Sequence, residues 1–348
     1  MSSETTRNHE ITQETILLNS EGELTEPGWA RNPLFIYKRN MIKAPAIRIK
    51  EWDYYLVVGK DFAGAFTISD DGYLGLQSVS LLSLGKDNPW EHTQTEMNAF
   101  PMGKLKMPES SGSGTSRFKN KRLDMEFSHE GEKRHIRCEF ADFWNGKPFS
   151  CDITLEAPPA PGESMTIATP WDKKHAFYHN QKINCMRASG KMEYDGKVYE
   201  FHPETDFGTL DWGRGVWTYD NTWLWGSGNC DLDGKAFGFN IGYGFGNTKA
   251  ASENVIFYDG HAHKLDDVTF HIPEDDICKP WTFTSSDSRF EMDFVPILDR
   301  AAKIDLKLLV SDQHQVFGRM SGKAVLDDGR ELEIKDLLCF AEKVHNRY

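Results

Sequence analysis

The sequence lacks the motifs by which several large enzyme classes are recognised. Its six cysteines show no CxxC spacing, which excludes a zinc ribbon and a dithiol redox motif. It has no GxSxG elbow and no P-loop, so no motif supports esterase or nucleoside-triphosphatase activity. The glycine-rich run 242–246 lacks the spacing of a dinucleotide fingerprint, and no amphipathic helix follows it. We therefore expect no cofactor.

Long apolar runs and an excess of basic residues are also missing. No stretch of about 18 apolar residues marks a transmembrane helix, and the polar N-terminus carries no targeting signal. A formal net charge of −13 disfavours nucleic acid as a partner, because phosphate binding needs clustered Lys and Arg. The sequence predicts a cytoplasmic protein without a membrane span and leaves its oligomeric state open.

What the sequence has in abundance is short alternating apolar runs separated by turn dipeptides. Asp-Gly and Asn-Gly favour the left-handed backbone of two-residue hairpins. Patterns for long helices are scarce, which favours sandwiches or closed barrels over alternating strand–helix units. We predict an all-β fold with few short helices. The turns that support it are at Asp70-Asp71-Gly72, Glu130-Gly131, Asn145-Gly146, Asp195-Gly196, Asp259-Gly260 and Asp327-Asp328-Gly329.

The length of the chain predicts two domains. Its 348 residues exceed what one hydrophobic core supports, and a domain averages about 150 residues. We place the boundary near residue 190, before the hairpin GKMEYDGKVYEF, which gives domains at 1–190 and 191–348. A boundary about fifteen residues later fits equally well.

A segment rich in tryptophan and glycine, 208–246, is the most informative part of the chain. Its strand Phe237–Gly246 alternates large residues with glycines, so one face is nearly bare. Glycine weakens a strand unless something approaches its backbone, so the bare face should meet a packed element or a ligand. Asn240 and Tyr243 on this strand are candidate ligand-binding residues.

Asp211 and Arg214 stand three residues apart in the motif LDWGRG. Beside tryptophans in a poorly hydrated pocket, Asp211 would favour its neutral form, which suits a general acid. A close Arg214 would favour the ionised carboxylate instead. The alternative to a general acid is a structural Asp–Arg ion pair that clamps the loop between two sheets. Trp212 lies between them as a candidate pocket residue.

The run Val216–Trp225 is interpreted as a hairpin with two possible registers. A three-residue loop at 220–222 would place Trp217, Tyr219, Trp223 and Trp225 on one face as a stacking platform. A two-residue loop would divide these aromatics between the two faces as ordinary core.

Three further residues complete the candidate site. His314 is the best lone imidazole for acid–base work, with a surface position as its alternative. Glu253 and Asn254 stand before an apolar strand, where barrel ligands meet polar groups, or else form a turn cap. His261 and His263 have no third ligand, so no metal site is predicted. The charged run Glu342–Arg347 is interpreted as surface or inter-domain ion pairs.

The chain resembles the bacterial family catalogued as domain of unknown function 2804. The resemblance is carried by GTLDWGRGVW, WLWGSG, NIGYGFG, ASEN, YDGHAHKLD, HQVFGRMSG and FAEKVHNR, which occur in this order. More remotely, SGKMEYDGKVYEF followed by LDWGRG is similar to attachment-protein-like and carotenoid-hydratase-like proteins. That similarity implies two lipocalin-like antiparallel β-barrels side by side, with a ligand pocket near their junction.

The remote group includes cofactor-free hydratases and cyclases of apolar, isoprenoid or polyketide substrates. Its motif Asp matches Asp211, which the resemblance makes a proton donor. The chain departs from the pattern at Trp212-Gly213-Arg214, where that group has a His and an acid, so its other residues are not transferred.

Three functions follow from these observations. The first is a cofactor-independent lyase, hydratase or isomerase acting on a small, largely apolar molecule between the barrels. The second is a non-catalytic carrier of a lipid or isoprenoid. The third is a carbohydrate-processing enzyme with an open groove, in which tryptophans stack on sugars and paired carboxylates cleave them.

Overall fold

The structure is a computed structural model that describes residues 7–305 and 310–347. Residues 1–6 of the predicted untargeted N-terminus lie outside the described residues. Within the described residues, two short 3-10 helices are present at Arg39–Met41 and Ala46–Arg48, and the rest of the regular structure is strand. In chain order the strands are β1 (Thr15–Ile16), β2 (Gly28–Ala30), β3 (Phe35–Ile36), β4 (Ile49–Val58), β5 (Phe62–Asp70), β6 (Leu74–Ser83), β7 (Trp90–Ala99), β8 (Gly114–Lys119), β9 (Leu123–Glu130), β10 (Lys133–Trp144), β11 (Lys147–Glu156), β12 (Met165–Pro170), β13 (Phe177–Tyr194), β14 (Lys197–Phe201), β15 (Phe207–Val216), β16 (Asp220–Leu232), β17 (Lys235–Tyr243), β18 (Val255–Tyr258), β19 (His261–Lys264), β20 (Val268–His271), β21 (Trp281–Ser285), β22 (Phe290–Asp305), β23 (Val310–Val325) and β24 (Glu331–Arg347).

The strands form two large sheets, and the predicted all-β, two-barrel fold is confirmed. The first sheet has the order β7-β6-β5-β4-β15-β13-β11-β10-β9-β8, with β12 and β14 beside β13 and β2 beside β12. The second has the order β19-β18-β17-β16-β24-β23-β22-β21-β20. Each sheet curls into a half-barrel. Strands β1 and β3 make a small parallel pair of their own.

The predicted turn dipeptides do connect paired neighbouring strands. Asn145-Gly146 joins β10 to β11, Asp195-Gly196 joins β13 to β14, and Asp259-Gly260 joins β18 to β19. Both residues of each dipeptide have positive φ, between 50° and 85°. This is the backbone that type I′ hairpins require, and it explains why these dipeptides predicted the strands on either side.

The chain passes from one sheet to the other between Val216 and Asp220. Residues 191–216 belong to the first sheet through β13, β14 and β15. The division into domains at residue 190 stays a prediction, and the change of sheet lies later because the hairpin at Lys191 pairs within the first sheet.

The segment Val216–Trp225 is not a hairpin, so neither predicted register is present. Strand β15 pairs with β13 and β4 in the first sheet, whereas β16 pairs with β17 and β24 in the second. The tryptophans of this segment therefore lie at a crossing between sheets. The periodicity of a single segment could not reveal this, because the partners of both strands are far away in sequence.

A bulge in β13 ties the two sheets together. The register of β13 against β15 shifts between Ile183 and Met186, and Cys185 has a φ of 61°. The bulge directs Asn184 towards the second sheet, where its Nδ2 donates to Ser227 Oγ at 2.9 Å and to the Phe239 carbonyl at 3.2 Å. Bulges commonly redirect a side chain in this way.

The buried apolar residues form three cores. One fills the first half-barrel and one fills the second. The third lies at the junction, where residues of both sheets pack together. Its aromatic members are Trp29, Tyr54, Tyr178, Phe207, Trp217, Trp225, Phe245, Phe257, Phe317 and Phe340.

The glycine-rich strand packs as its alternation predicted as far as Tyr243, where β17 ends. Its large residues enter the core of the second half-barrel, and its bare face meets the first sheet, since a Cβ on Gly238 would lie 2.8 Å from Cys185 Sγ. Gly244 then adopts a φ of 97°, which turns the chain so that Phe245 enters the junction core.

No helix in the described part of the chain is long and apolar enough to cross a membrane. The cytoplasmic location stays a prediction.

Gly213 is a position where the junction requires glycine. A Cβ there would lie 1.9 Å from Cζ2 of the Trp52 indole, which covers the strand. Gly213→Ala should therefore displace Trp52 and cost about 1–3 kcal/mol of unfolding free energy. Urea unfolding measures this cost. Gly85→Ala is the matched control, because the nearest atom to its Cβ would be at 3.9 Å. Equal stability of the two variants would contradict the prediction.

Candidate functional site

The junction encloses an ion pair between neighbouring strands of the first sheet. Lys182 on β13 and Asp211 on β15 are directly opposed in the ladder. Lys182 Nζ lies 2.9 Å from Asp211 Oδ2, and the two side chains are only 1% and 10% exposed. The ammonium also lies 3.9 Å from the centre of the Trp225 ring. A carboxylate and an aromatic face together replace the water that the lysine loses on burial.

Asp211 has two further donors on its other oxygen. Asn180 Nδ2 donates to Oδ1 at 2.6 Å, and Trp52 Nε1 donates to the same oxygen at 3.2 Å. Asn180 and Lys182 are two residues apart on one strand, so both side chains point to the same face. Three donors, one of them a cation, suit an ionised carboxylate.

The second sheet contributes two buried carboxyl groups. Glu342 on β24 accepts from Trp223 Nε1 at 3.0 Å and from Gln315 Nε2 at 3.1 Å. Glu253 stands just before β18, and the Tyr178 hydroxyl donates to its Oε2 at 3.4 Å. Its Oε1 has no hydrogen-bond partner among the described residues. We name these buried charged residues the junction acid cluster; its members are Lys182, Asp211, Glu253 and Glu342.

Burial changes the proton affinity of both glutamates. Desolvation raises the pKa of Glu253 to about 7 and that of Glu342 to about 7. For both groups the positive charge of Lys182 opposes this shift, while the negative charge of Asp211 adds to it. Each of the two carboxyls therefore gains or loses its proton near neutral pH, which is the range that suits a general acid or base.

An aromatic wall adjoins the acid cluster. Trp217 lies at its centre, with ring centroids 5.3 Å from Trp223, 5.6 Å from Trp171 and 6.3 Å from Phe245. Trp52, Trp171 and Trp223 are only partly buried, so their rings form the outer rim. The junction aromatic cluster consists of Trp52, Trp171, Tyr178, Trp217, Trp223 and Phe245.

The structure brings part of the predicted site together. Asp211 and Glu253 share the acid cluster, and Trp217 and Trp223 share the aromatic cluster. Trp225 packs on Lys182 and donates from Nε1 to Asn240 Oδ1 at 2.7 Å.

Arg214 does not pair with Asp211, so the predicted Asp–Arg pair is wrong. Residues three apart on a strand point to opposite faces. Arg214 therefore enters the first half-barrel, where its Nη1 lies 3.0 Å from Asp53 Oδ1. Trp212 points the same way and lies 4.1 Å from the Arg214 guanidinium carbon.

Three other predicted ligand residues lie away from the cluster. Tyr219 is 48% exposed in the crossing between sheets. Tyr243 packs on Phe270 beside the core of the second half-barrel. The Asn254 side chain makes hydrogen bonds to the backbone: it accepts from the Gly242 N–H and donates to the Asp266 carbonyl.

His314 is also separate from the cluster. Its Nδ1 lies 2.7 Å from Asp299 Oδ2 and its Nε2 lies 3.6 Å from Asp312 Oδ1. The next residue on the strand, Gln315, is the one that reaches Glu342, because alternate side chains face opposite ways. His261 and His263 likewise have separate partners, Glu163 and Asp327.

Sequence reasoning missed Lys182, Asn180, Trp52 and Tyr178. Three of these four lie in the stretch FYHNQKINCM of β13, and a lysine there has no local signal that distinguishes it from a surface lysine. Glu342 was expected in a surface or inter-domain ion pair, yet it is 8% exposed. The residues next to Glu342 in the sequence could not show that β24 lies in the middle of a sheet.

Two curled antiparallel sheets around a buried acid cluster define a two-barrel, lipocalin-like class of protein. Within that class, the chain belongs to the family described as a domain of unknown function (DUF2804), whose profile matches residues 8–348. No curated protein sequence matches the chain.

Solved structures share the fold. Kievitone hydratase from Nectria haematococca is 10% identical, with 96% of this chain and 98% of that chain covered and a TM-score of 0.53. A protein described as AttH from Nitrosomonas europaea is 14% identical, with coverage of 85% and 92% and a TM-score of 0.48. The likeness to kievitone hydratase shows the architecture and does not assign residues.

Removing the negative partner of Lys182 should destabilise the protein. Asp211→Asn leaves a buried ammonium without its nearest counter-charge, at a cost of about 3 kcal/mol. The double variant Asp211→Asn with Lys182→Met should recover part of that loss, because the uncompensated charge is gone. Urea unfolding of the wild type, Asp211→Asn, Lys182→Met and the double variant measures the coupling between the two side chains. Additive effects of the two substitutions would show that the pair does not interact.

The two glutamates should make stability depend on pH. Their pKa is about 7 in the folded protein, against 4.5 for an ordinary glutamate. Between these values the folded protein binds more protons than the unfolded chain, so their contribution to stability falls as the pH rises from about 4.5 to 7. Glu253→Gln and Glu342→Gln should each flatten this slope, by a total on the order of a few kcal/mol. Urea unfolding from pH 5 to 8 measures it, and an unchanged slope in both variants would contradict the assignment.

Proposed function

We propose that the protein is a cofactor-independent lyase, hydratase or isomerase that acts on a small, largely apolar molecule at the junction of the two half-barrels. The observation that carries this proposal is Glu253. It is a buried carboxyl that exchanges its proton near pH 7, and one of its oxygens has no partner among the described residues. A proton donor needs a free oxygen that can face the reacting atom.

The surroundings of Glu253 enclose that oxygen and hold the carboxyl in place. A Cβ on Gly242 would lie 2.7 Å from Oε1, so the carboxyl occupies space that a larger residue would fill. Tyr178 holds the other oxygen. This arrangement fixes the direction of Oε1 without using it.

The remaining groups fit an acid-catalysed addition or its reverse. In the forward direction, Glu253 gives its proton to one carbon of a double bond, and water adds its oxygen to the neighbouring carbon. The proton that this water loses returns to a carboxylate, for which Glu342 is available. Aromatic faces and fixed negative charge stabilise the developing cation.

Asp211 is proposed as a fixed anion rather than as the proton donor. It contacts Lys182 and accepts from Asn180 and Trp52, so it serves best as the counter-charge that holds Lys182 and adds negative potential. This differs from the role implied by the sequence resemblance, in which the motif Asp donates the proton.

Kievitone hydratase provides limited support. Its name states that it hydrates kievitone, and the likeness at 10% identity shows that this architecture can hold a hydratase. It assigns no substrate to this chain.

The main alternative is a carrier that binds the same molecule unchanged. The apolar wall supports binding in either case, whereas two carboxyls with raised pKa favour catalysis. For carbohydrate processing, Trp217 and Trp225 would have to line an open groove, but they are 6% and 4% exposed.

Glu253→Gln tests the proposal, since it removes the proton and nearly keeps the shape. The purified protein is incubated with a cellular metabolite extract, and mass spectrometry follows which compounds are retained and which are altered. We expect the wild type to convert a compound and Glu253→Gln to lose at least about 100-fold in rate while it still retains that compound. His314→Gln is the matched control and should keep the activity. Stoichiometric retention without conversion by the wild type would favour the carrier.

A further inference from the structure

The indole N–H groups of the junction are unequally satisfied. Four of them donate to polar groups of the protein, namely Trp29 to the Asn8 carbonyl, Trp52 to Asp211, Trp223 to Glu342 and Trp225 to Asn240. The other two, Trp171 Nε1 and Trp217 Nε1, are enclosed and have no acceptor within the described residues.

The two unsatisfied indoles are neighbours. The ring centroids of Trp171 and Trp217 are 5.6 Å apart, and the rings are inclined at 45°. Trp217 is 6% exposed, so bulk water does not satisfy its N–H. A Cβ on Gly215 would lie 2.5 Å from the Phe177 carbonyl oxygen and 3.3 Å from Trp217 Nε1, so only glycine fits beside this donor.

Two acceptors in or beside the junction acid cluster also lack donors. Asn180 Oδ1 and Glu253 Oε1 are enclosed without a hydrogen-bond partner among the described residues, and both side chains belong to residues at most 2% exposed. Unpaired donors and unpaired acceptors thus lie on the two sides of one junction, at the aromatic cluster and at the acid cluster.

An enclosed N–H without an acceptor is costly, because it loses its hydrogen bonds to water and gains none in return. Protein interiors keep such groups mainly where a ligand or an ordered water completes them. Two neighbouring N–H donors would suit one oxygen with two lone pairs, in the manner of an oxyanion hole. The aromatic cluster beside them would suit the apolar part of the same molecule.

We propose that the molecule bound at the junction carries a carbonyl or hydroxyl oxygen that accepts hydrogen bonds from Trp171 and Trp217. Its class is a small apolar ketone, enone or alcohol rather than a pure hydrocarbon. The inference rests on the proposed function in that it places the ligand in the same site, and it adds the polar group by which the ligand is recognised.

A matched pair of probes tests this. Acetophenone and α-methylstyrene have nearly the same shape, but the first has a carbonyl oxygen where the second has a methylene group. Isothermal titration calorimetry gives the Kd of each for the wild type, Trp171→Phe, Trp217→Phe and the double variant. Phenylalanine keeps an aromatic ring and removes the N–H. Trp90→Phe, on β7, is the control for a tryptophan outside the junction.

We expect the wild type to bind acetophenone about tenfold more tightly than α-methylstyrene, which corresponds to one or two hydrogen bonds. Each single variant should lower that preference several-fold, and the double variant should bring it to about one, without weakening the binding of α-methylstyrene. Circular dichroism and the Tm of each variant confirm that it is folded.

Equal affinities in the folded wild type, an unchanged preference in the double variant, or binding of neither probe would overturn the inference. Its failure is distinct from that of the proposed function, because the probes measure recognition without turnover. A preference for acetophenone that survives in Glu253→Gln, in a protein that converts nothing, would support the inference and favour a carrier.

Discussion

The site depends on one buried cation. Lys182 is 1% exposed and lies where three carboxyl groups from both sheets meet. Its ammonium contacts Asp211 directly, and its charge reaches Glu253 and Glu342 through space. Without it, three carboxyls would share one dry site, and like charges at that spacing could not all ionise. The protein thus keeps one fixed ion pair and two carboxyls near their titration point.

The two sheets make unequal contributions to this arrangement. The first sheet supplies the ion pair from adjacent strands, so that pair forms with the sheet itself. The second sheet supplies the titrating carboxyls, whose pKa is raised by burial and by the charge of Asp211 on the first sheet. The bulge beside Asn184 fixes the packing through hydrogen bonds to the second sheet. Proton affinity at the site is therefore a property of the assembled fold.

Membership of the DUF2804 family and the likeness to a hydratase fold place the protein in an architecture without assigning its chemistry. Fold does not imply function, so catalysis has to be inferred from the geometry and chemistry of the site's residues. Here the site differs from the one that the sequence predicted. Arg214 belongs to a separate network inside the first half-barrel, and the motif Asp has a lysine partner that the motif does not contain.

The sequence by itself determined the strands, their hairpin turns and the tryptophan-rich segment, because these depend on side-chain alternation and on local backbone preferences. It also singled out Asp211 and Glu253. It could not show that Lys182 is buried, that Glu342 faces inwards, or that Val216 and Asp220 belong to different sheets. Only the tertiary structure decided these points, because pairing between distant strands sets which face of each strand loses water, and that loss gives the carboxyls their chemistry.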